Sequence, residues 1–136
     1  MIVFFDACAL IYLLEGKEPF ASKVRDSLAT MTGHYPELAV AVSRLSWLEC
    51  RVGPMKRNDS PILATYDAFF TRPDLIWVEL SRDVVELATA IRVKHNLKTP
   101  DALQVASCLQ LGSDHLFLSG DSELQRVAGL RMHLLR

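Results

Sequence analysis

MIVFFDACALIYLLEG, residues 1–16, sets the frame for the fold. Met1–Phe5 is a short, wholly apolar run containing Ile, Val and two Phe, the composition of a strand buried on both faces. Asp6 closes the run, and Ala7–Leu14 follows as an apolar segment that Asp6 is placed to cap as a helix. Similar short runs recur at Leu38–Val42, after Tyr35-Pro36 and before Ser43, at Leu75–Leu80 after Arg72-Pro73-Asp74, and at His115–Leu118 after Gly112-Ser113-Asp114. A fifth, weaker signal spans Arg131–Leu135. Between these runs the apolar period switches to about 3.6 residues. Phe20, Val24, Leu28 and Met31 form one stripe, and Ile62, Tyr66, Phe69 and Phe70 another. Val84, Leu87, Ala88 and Ile91 follow an N-cap at Ser81, and Leu103, Ala106 and Leu109 follow Thr99-Pro100, where Pro suits the first helical position. Strands alternating with helices imply crossover connections, hence an α/β fold with a mostly parallel sheet of four to five strands and helices on both faces.

Half of the 136 residues are hydrophobic and 23% are charged, which is enough for one sizeable core and excludes a disordered chain. The length fits one domain over residues 1–136. Fifteen Lys and Arg against sixteen Asp and Glu leave a formal net charge of −1, so a large non-specific nucleic-acid surface is disfavoured while a local basic patch is allowed. Apolar runs such as Ala7–Leu14 fall short of the roughly 18–20 residues that span a bilayer. Asp6 and Glu15 break the pattern of a secretory signal, so no membrane association and a cytoplasmic location are expected. Cys8, Cys50 and Cys108 are widely separated with no CxxC, and three buried thiols are expected rather than a disulfide framework or zinc site.

Four carboxylates fall where chemistry is done in parallel sheets, outside the carboxyl ends of strands. Asp6 follows the first strand directly, and a charge inside an apolar segment is expensive unless compensated; metal binding or catalysis fits, as does a helix N-cap. Asp121, in Ser119-Gly120-Asp121-Ser122, is open to the same two readings. Ser46-Trp47-Leu48-Glu49 matches a capping box. Ser43 is the better cap after the preceding strand, however, which puts Ser46 and Glu49 inside a helix over Ser43–Val52, roughly 60° apart, with Leu45, Leu48 and Val52 as its apolar face. Asp101 sits in the first turn of its helix, where the macrodipole alone favours a negative charge. Jointly the four would repel one another unless a divalent cation sat among them, and oxygen donors without organised His or Cys select Mg²⁺ or Mn²⁺. Phosphodiester hydrolysis is the chemistry such a site performs best.

These residues resemble those of a PIN-domain ribonuclease, most nearly a VapC-type toxin of the type II toxin-antitoxin systems. The resemblance spans essentially the whole chain and rests on IVFFDACALIYLLEG with Asp6, SWLE with Glu49, KTPDALQVASCLQLGSDHLFLSGD with Asp101, and Asp121 at its end. It implies a three-layer PIN-like fold and a Mg²⁺- or Mn²⁺-dependent endoribonuclease. Asp6 and Asp101 would then be direct ligands, Glu49 and Asp121 would bind a second ion or its waters and orient the nucleophile, and Ser119 would assist. Ser119 stands where the family often has Thr, and Ser122-Glu123-Leu124 where a basic or aromatic residue often follows the last Asp.

The resemblance also implies an RNA substrate, a cognate antitoxin that covers the site, and a homodimer. Leu10–Leu14 is more apolar than one buried face requires, which suits a partner groove or a dimer contact as well as burial within the domain. Basic residues at Arg92, Lys94, His95 and Lys98, and at Lys56 and Arg57 near Asn58, offer two clusters of which one is expected to hold RNA phosphates. An aspartyl phosphotransferase would want Asp-x-Asp where Cys8 stands, and a phosphoacceptor receiver would want an Asp closing the strand that here runs into Ser81. The remaining alternatives are a catalytically weak PIN-like module that binds RNA or protein, and a housekeeping RNA-processing nuclease.

Overall fold

The computed structural model describes residues 1–135, which form a sheet of five strands, all parallel, in the order β3-β2-β1-β4-β5. The strands are β1 Ile2–Phe5, β2 Ala39–Ser43, β3 Ile76–Val78, β4 His115–Ser119 and β5 Met132–Leu134. The helices are α1 Ala7–Glu15, α2 Phe20–His34, α3 Arg44–Lys56, α4 Ser60–Phe70, α5 Arg82–His95 and α6 Thr99–Leu109, with a 3₁₀ turn at Ser122–Arg126. All five expected strands are present within a residue or two, although the edge strands β3 and β5 keep only their central three residues. Short edges limit the unpaired backbone open to pairing with another chain.

Local signals set the helix ends. Ser43 caps α3 by accepting the Leu45 amide at 3.1 Å, and Ser81 caps α5 by accepting from Val84 at 3.3 Å. Asp59 does the same for α4 through Ile62 at 3.2 Å. Gly16, at φ +67°, closes α1 in the left-handed conformation that glycine adopts without a Cβ penalty.

Successive side chains of β1 point to opposite faces, so Val3 and Phe5 enter one core while Phe4 enters the other. The first core packs Val24, Met31, Tyr66 and Phe70 against the sheet, and the second packs Val84, Ile91, Val105 and Phe117, with Phe4 and Phe117 stacked at 5.6 Å between centroids. Helices thus cover both faces in three layers. Leu10 is fully buried and Ile11–Leu14 are half-buried against the first core, so most of the apolar excess of α1 serves this domain. At the C-terminal end of α1, Glu15 accepts from Tyr66 Oη at 2.7 Å and from Arg57 at 3.0 Å, which ties α1 to the α3–α4 pair.

The face of α3 is inverted relative to the sequence expectation. Ser46, Cys50 and Pro54 are buried, whereas Leu48 is 60% and Met55 57% exposed, with Trp47 and Val52 beside them. Periodicity identified residues that share a face; the small and polar side chains lie inward because α3 meets α6 there through Gln104. Trp47, Leu48, Val52 and Met55 thus form an outward apolar patch on α3.

His115 is buried at the start of β4, its Nδ1 2.6 Å from the Gly112 carbonyl and its Nε2 accepting the Arg131 amide at 3.1 Å. Those two bonds require the neutral Nδ1–H tautomer and pin the approach to β5. His115→Leu keeps the bulk but orphans both backbone groups, and is expected to lower unfolding free energy by about 1–3 kcal/mol in urea titration.

Candidate active site

Strands β1 and β4 are neighbours, yet the chain leaves β1 towards β2 on one side and leaves β4 towards β5 on the other. The crevice between their carboxyl ends is the switch point of the sheet, where ligands of open parallel sheets bind. Phe5 is in register with Leu118, so the next residues on each strand, Asp6 and Ser119, meet. Ser119 Oγ donates to Asp6 Oδ2 at 2.7 Å and accepts the Asp121 amide at 3.1 Å. Asp6 occupies the N-cap position of α1 but makes no capping bond with its side chain, which is turned towards Ser119 instead.

Asp101, from the first turn of α6, and Asp121, past β4, line the same cavity of about 310 Å³ as Asp6 and Ser119. Asp121 does cap, accepting the Glu123 amide at 3.0 Å through Oδ1. Glu49 lies inside α3, and no capping box forms because Ser43 is the cap. Its Oε1 accepts from Gln104 Nε2 at 2.9 Å, and the same amide nitrogen donates to Ser46 Oγ at 3.0 Å. Gln104 is buried on α6, one turn beyond Asp101, and its Oε1 has no hydrogen-bond partner. An acceptor left unpaired so that the amide hydrogens face a carboxylate marks Gln104 as the tether that positions Glu49. Sequence reading passed over Gln104, since a polar residue in a helix carries no sign of what it will meet.

Charge dominates this crevice. Burial, opposed by the hydrogen bond from Ser119 and aided by the neighbouring charges of Asp101 and Glu49, pushes the Asp6 carboxyl up to about 6. Burial and the charge of Asp121 also raise Asp101, while Lys98 opposes the shift. Among the described residues none of the four carboxylates forms an ion pair. Cys8 lines the crevice and reaches solvent, contrary to the expectation of three buried thiols, while Cys50 and Cys108 are buried. It is the second residue of α1 and so faces the strand ends rather than the core. Its thiol is pushed up to about 11 by desolvation and by the four carboxylates, and stays protonated.

Two residues of the basic clusters have side-chain partners, while among the described residues Lys56, Lys94, His95 and Lys98 form no ion pair and Lys98 lies near enough to Asp101 to act on it. Arg57 pairs with Glu15 and Asp59, and Arg92 donates to the Leu97 carbonyl at 2.9 Å. Lys23 of α2, absent from either cluster, lines the acidic cavity.

Among the described residues no three His, Cys, Asp or Glu side chains close into a cage around an ion. Mg²⁺ does not need one: it keeps several waters and takes one or two carboxylates plus substrate phosphates. An all-oxygen donor set whose negative charge is offset by no ion pair among the described residues fits that ion chemistry.

The family model for the PIN domain matches residues 3–130. The chain belongs to the PIN domain family. Solved structures with the same fold include VapBC2 from Rickettsia felis bound to a promoter DNA fragment, at a TM-score of 0.79 and 14% identity over 100% of both chains. A toxin-antitoxin complex from Klebsiella pneumoniae matches at 0.69 and 24% identity over 94% of each chain. VapC20 from Mycobacterium tuberculosis, a sarcin-ricin loop cleaving toxin, matches at 0.69 and 15% identity over 95% of this chain and 98% of its own. No curated protein matches by sequence.

In this PIN domain, ionised Asp6 is a burden on the metal-free fold. Its native carboxyl titrates near 6 against 3.8 for the ordinary group, so the penalty is full above pH 6, shrinks as pH falls through that value, and vanishes below the unfolded pKa. Asp6→Asn is therefore expected to stabilise the chelator-treated protein by roughly 1–3 kcal/mol at pH 8 and by progressively less towards pH 4, read from denaturant melts.

Proposed function

We propose that this chain, acting as one PIN domain over residues 1–136, is a Mg²⁺- or Mn²⁺-dependent endoribonuclease and the VapC-type toxin of a type II toxin-antitoxin pair. The observation that supports this reading most is the meeting of Asp6, Asp101, Asp121 and Ser119 in one cavity at the switch point, with Glu49 close enough for its charge to act on Asp6. A divalent ion held there supplies neutralisation of the phosphate and a lowered pKa for the attacking water.

Asp6 and Asp101 are the proposed direct ligands. Glu49 and Asp121 hold a second ion or ordered water and orient the nucleophile. Ser119 holds one oxygen of Asp6 and thereby fixes the direction of the other. Gln104 does the same for Glu49. The likeness to VapBC assemblies supports a cognate antitoxin, and the outward apolar face of α3 supports a protein-covered surface. Homodimerisation and action in the cytoplasm belong to the same proposal; among the described residues no helix is long and apolar enough to cross a membrane.

Incubation of the purified chain with total bacterial RNA tests the reading. Cleavage is expected with Mg²⁺ or Mn²⁺ and not with EDTA. Asp6→Asn and Asp101→Asn are each expected to reduce it by at least about 100-fold, and Ser119→Ala by about 10- to 100-fold, the range seen when partners of metal ligands are removed. Cleavage that survives EDTA, or that Asp6→Asn leaves unchanged, contradicts the proposal.

A further inference from the structure

One side of the acidic cavity is built from aromatic rings and a cation. Tyr12 of α1 and Phe20 and Lys23 of α2 line the same space as Asp6, Asp101 and Ser119. Phe20 opens α2 and stays 43% exposed, while Val24 and Met31 of its stripe are buried. Its ring stacks on Tyr12 with centroids 4.7 Å apart and planes 23° from parallel, so Tyr12 supports it from behind. Lys23 Nζ lies 5.6 Å from the Phe20 centroid, near the outer limit of a cation–π contact. A lysine held that loosely turns readily to a stronger partner. Among the described residues lining the cavity, Lys23 is the only cation.

A single exposed aromatic residue needs no explanation; the conjunction does. Ions held by the carboxylates would draw in the scissile phosphate, so the nucleotide beside it needs attraction from elsewhere in the cavity. An exposed ring offers a base a stacking surface whatever its identity, and an adjacent ammonium offers its phosphate a counter-charge. The cavity, about 310 Å³, is at the small end of ligand sites, a size suited to one splayed-out nucleotide.

We propose that Phe20, backed by Tyr12 and flanked by Lys23, is the platform that binds the nucleotide beside the scissile phosphate by stacking on its base. This rests on the nuclease reading and adds the substrate-binding residues to it.

The test uses the full chain carrying Asp6→Asn, so that the probe stays intact, and a labelled mixed-sequence 12-nucleotide single-stranded RNA, with and without 2-aminopurine. Anisotropy reads affinity and 2-aminopurine quenching reads stacking. Phe20→Leu, which keeps apolar bulk over Tyr12, is expected to weaken binding by about 5- to 150-fold, the span of base–aromatic stacking, and to abolish quenching. Phe20→Trp restores both. Lys23→Gln weakens binding, lowers the salt slope by about 1 and leaves quenching in place. Should Phe20→Leu fail to fold, Phe20→Met and Lys23→Gln decide the matter by the same readouts. Binding and quenching equal to the parent in Phe20→Leu and Lys23→Gln, or equal affinity for duplex RNA, overturn the platform alone. A parent that binds no RNA overturns the platform, and the nuclease reading falls with it only if the wild-type chain also cleaves no RNA with Mg²⁺ or Mn²⁺.

Discussion

The hydrogen bond from Ser119 Oγ to Asp6 Oδ2, 2.7 Å long, joins the carboxyl ends of two parallel strands at the point where the chain departs from them in opposite directions. Adjacent strands that part company leave an uncovered crevice, and polar groups at their ends face it together. Every other feature of the site is arranged around that junction. Helix α6 delivers Asp101 from its first turn, the segment after β4 delivers Asp121, and α3 delivers Glu49 from the neighbouring strand β2.

The hydrophobic layers on either side make this arrangement rigid. Phe4 and Phe5 send adjacent side chains of β1 into opposite cores, so the residue that follows them cannot shift without disturbing both. Rigidity is what allows carboxylates to be held near one another against their repulsion. The raised titration of Asp6 and Asp101 registers that strain on the fold. Sites that bind charge are commonly places where local stability is given up for function. The buried polar seam of Gln104, Ser46 and Glu49 follows the same logic, since Gln104 leaves one acceptor unpaired while its amide hydrogens hold a carboxylate.

Much of the fold was legible in the sequence because strands buried on both faces must read as unbroken apolar runs, and four of the five do. The caps at Ser43 and Ser81 and the proline opening α6 were legible for the same local reasons. Asp6, Asp101 and Asp121 could be placed near one another because strand ends in a parallel sheet share one side. What local pattern could not supply was orientation and long-range contact. The outward face of α3 depends on its packing against α6, and the solvent access of Cys8 depends on which way the first turn of α1 faces. Gln104, Phe20 and Lys23 looked like ordinary helix residues, and Phe20 was counted in a core stripe. Their surroundings come from elements far away in sequence, as with Gln104 and Glu49.

The proposed activity depends on the carboxylate crevice binding a divalent cation through Asp6 and Asp101. Calorimetric titration of Mn²⁺ into the wild-type chain beside Asp6→Asn and Asp101→Asn addresses it without knowledge of the RNA target. Saturable binding in the wild type that disappears in both variants is the predicted result. Mn²⁺ binding of equal strength in all three proteins, or none in the wild type even with an RNA oligonucleotide present, would contradict it.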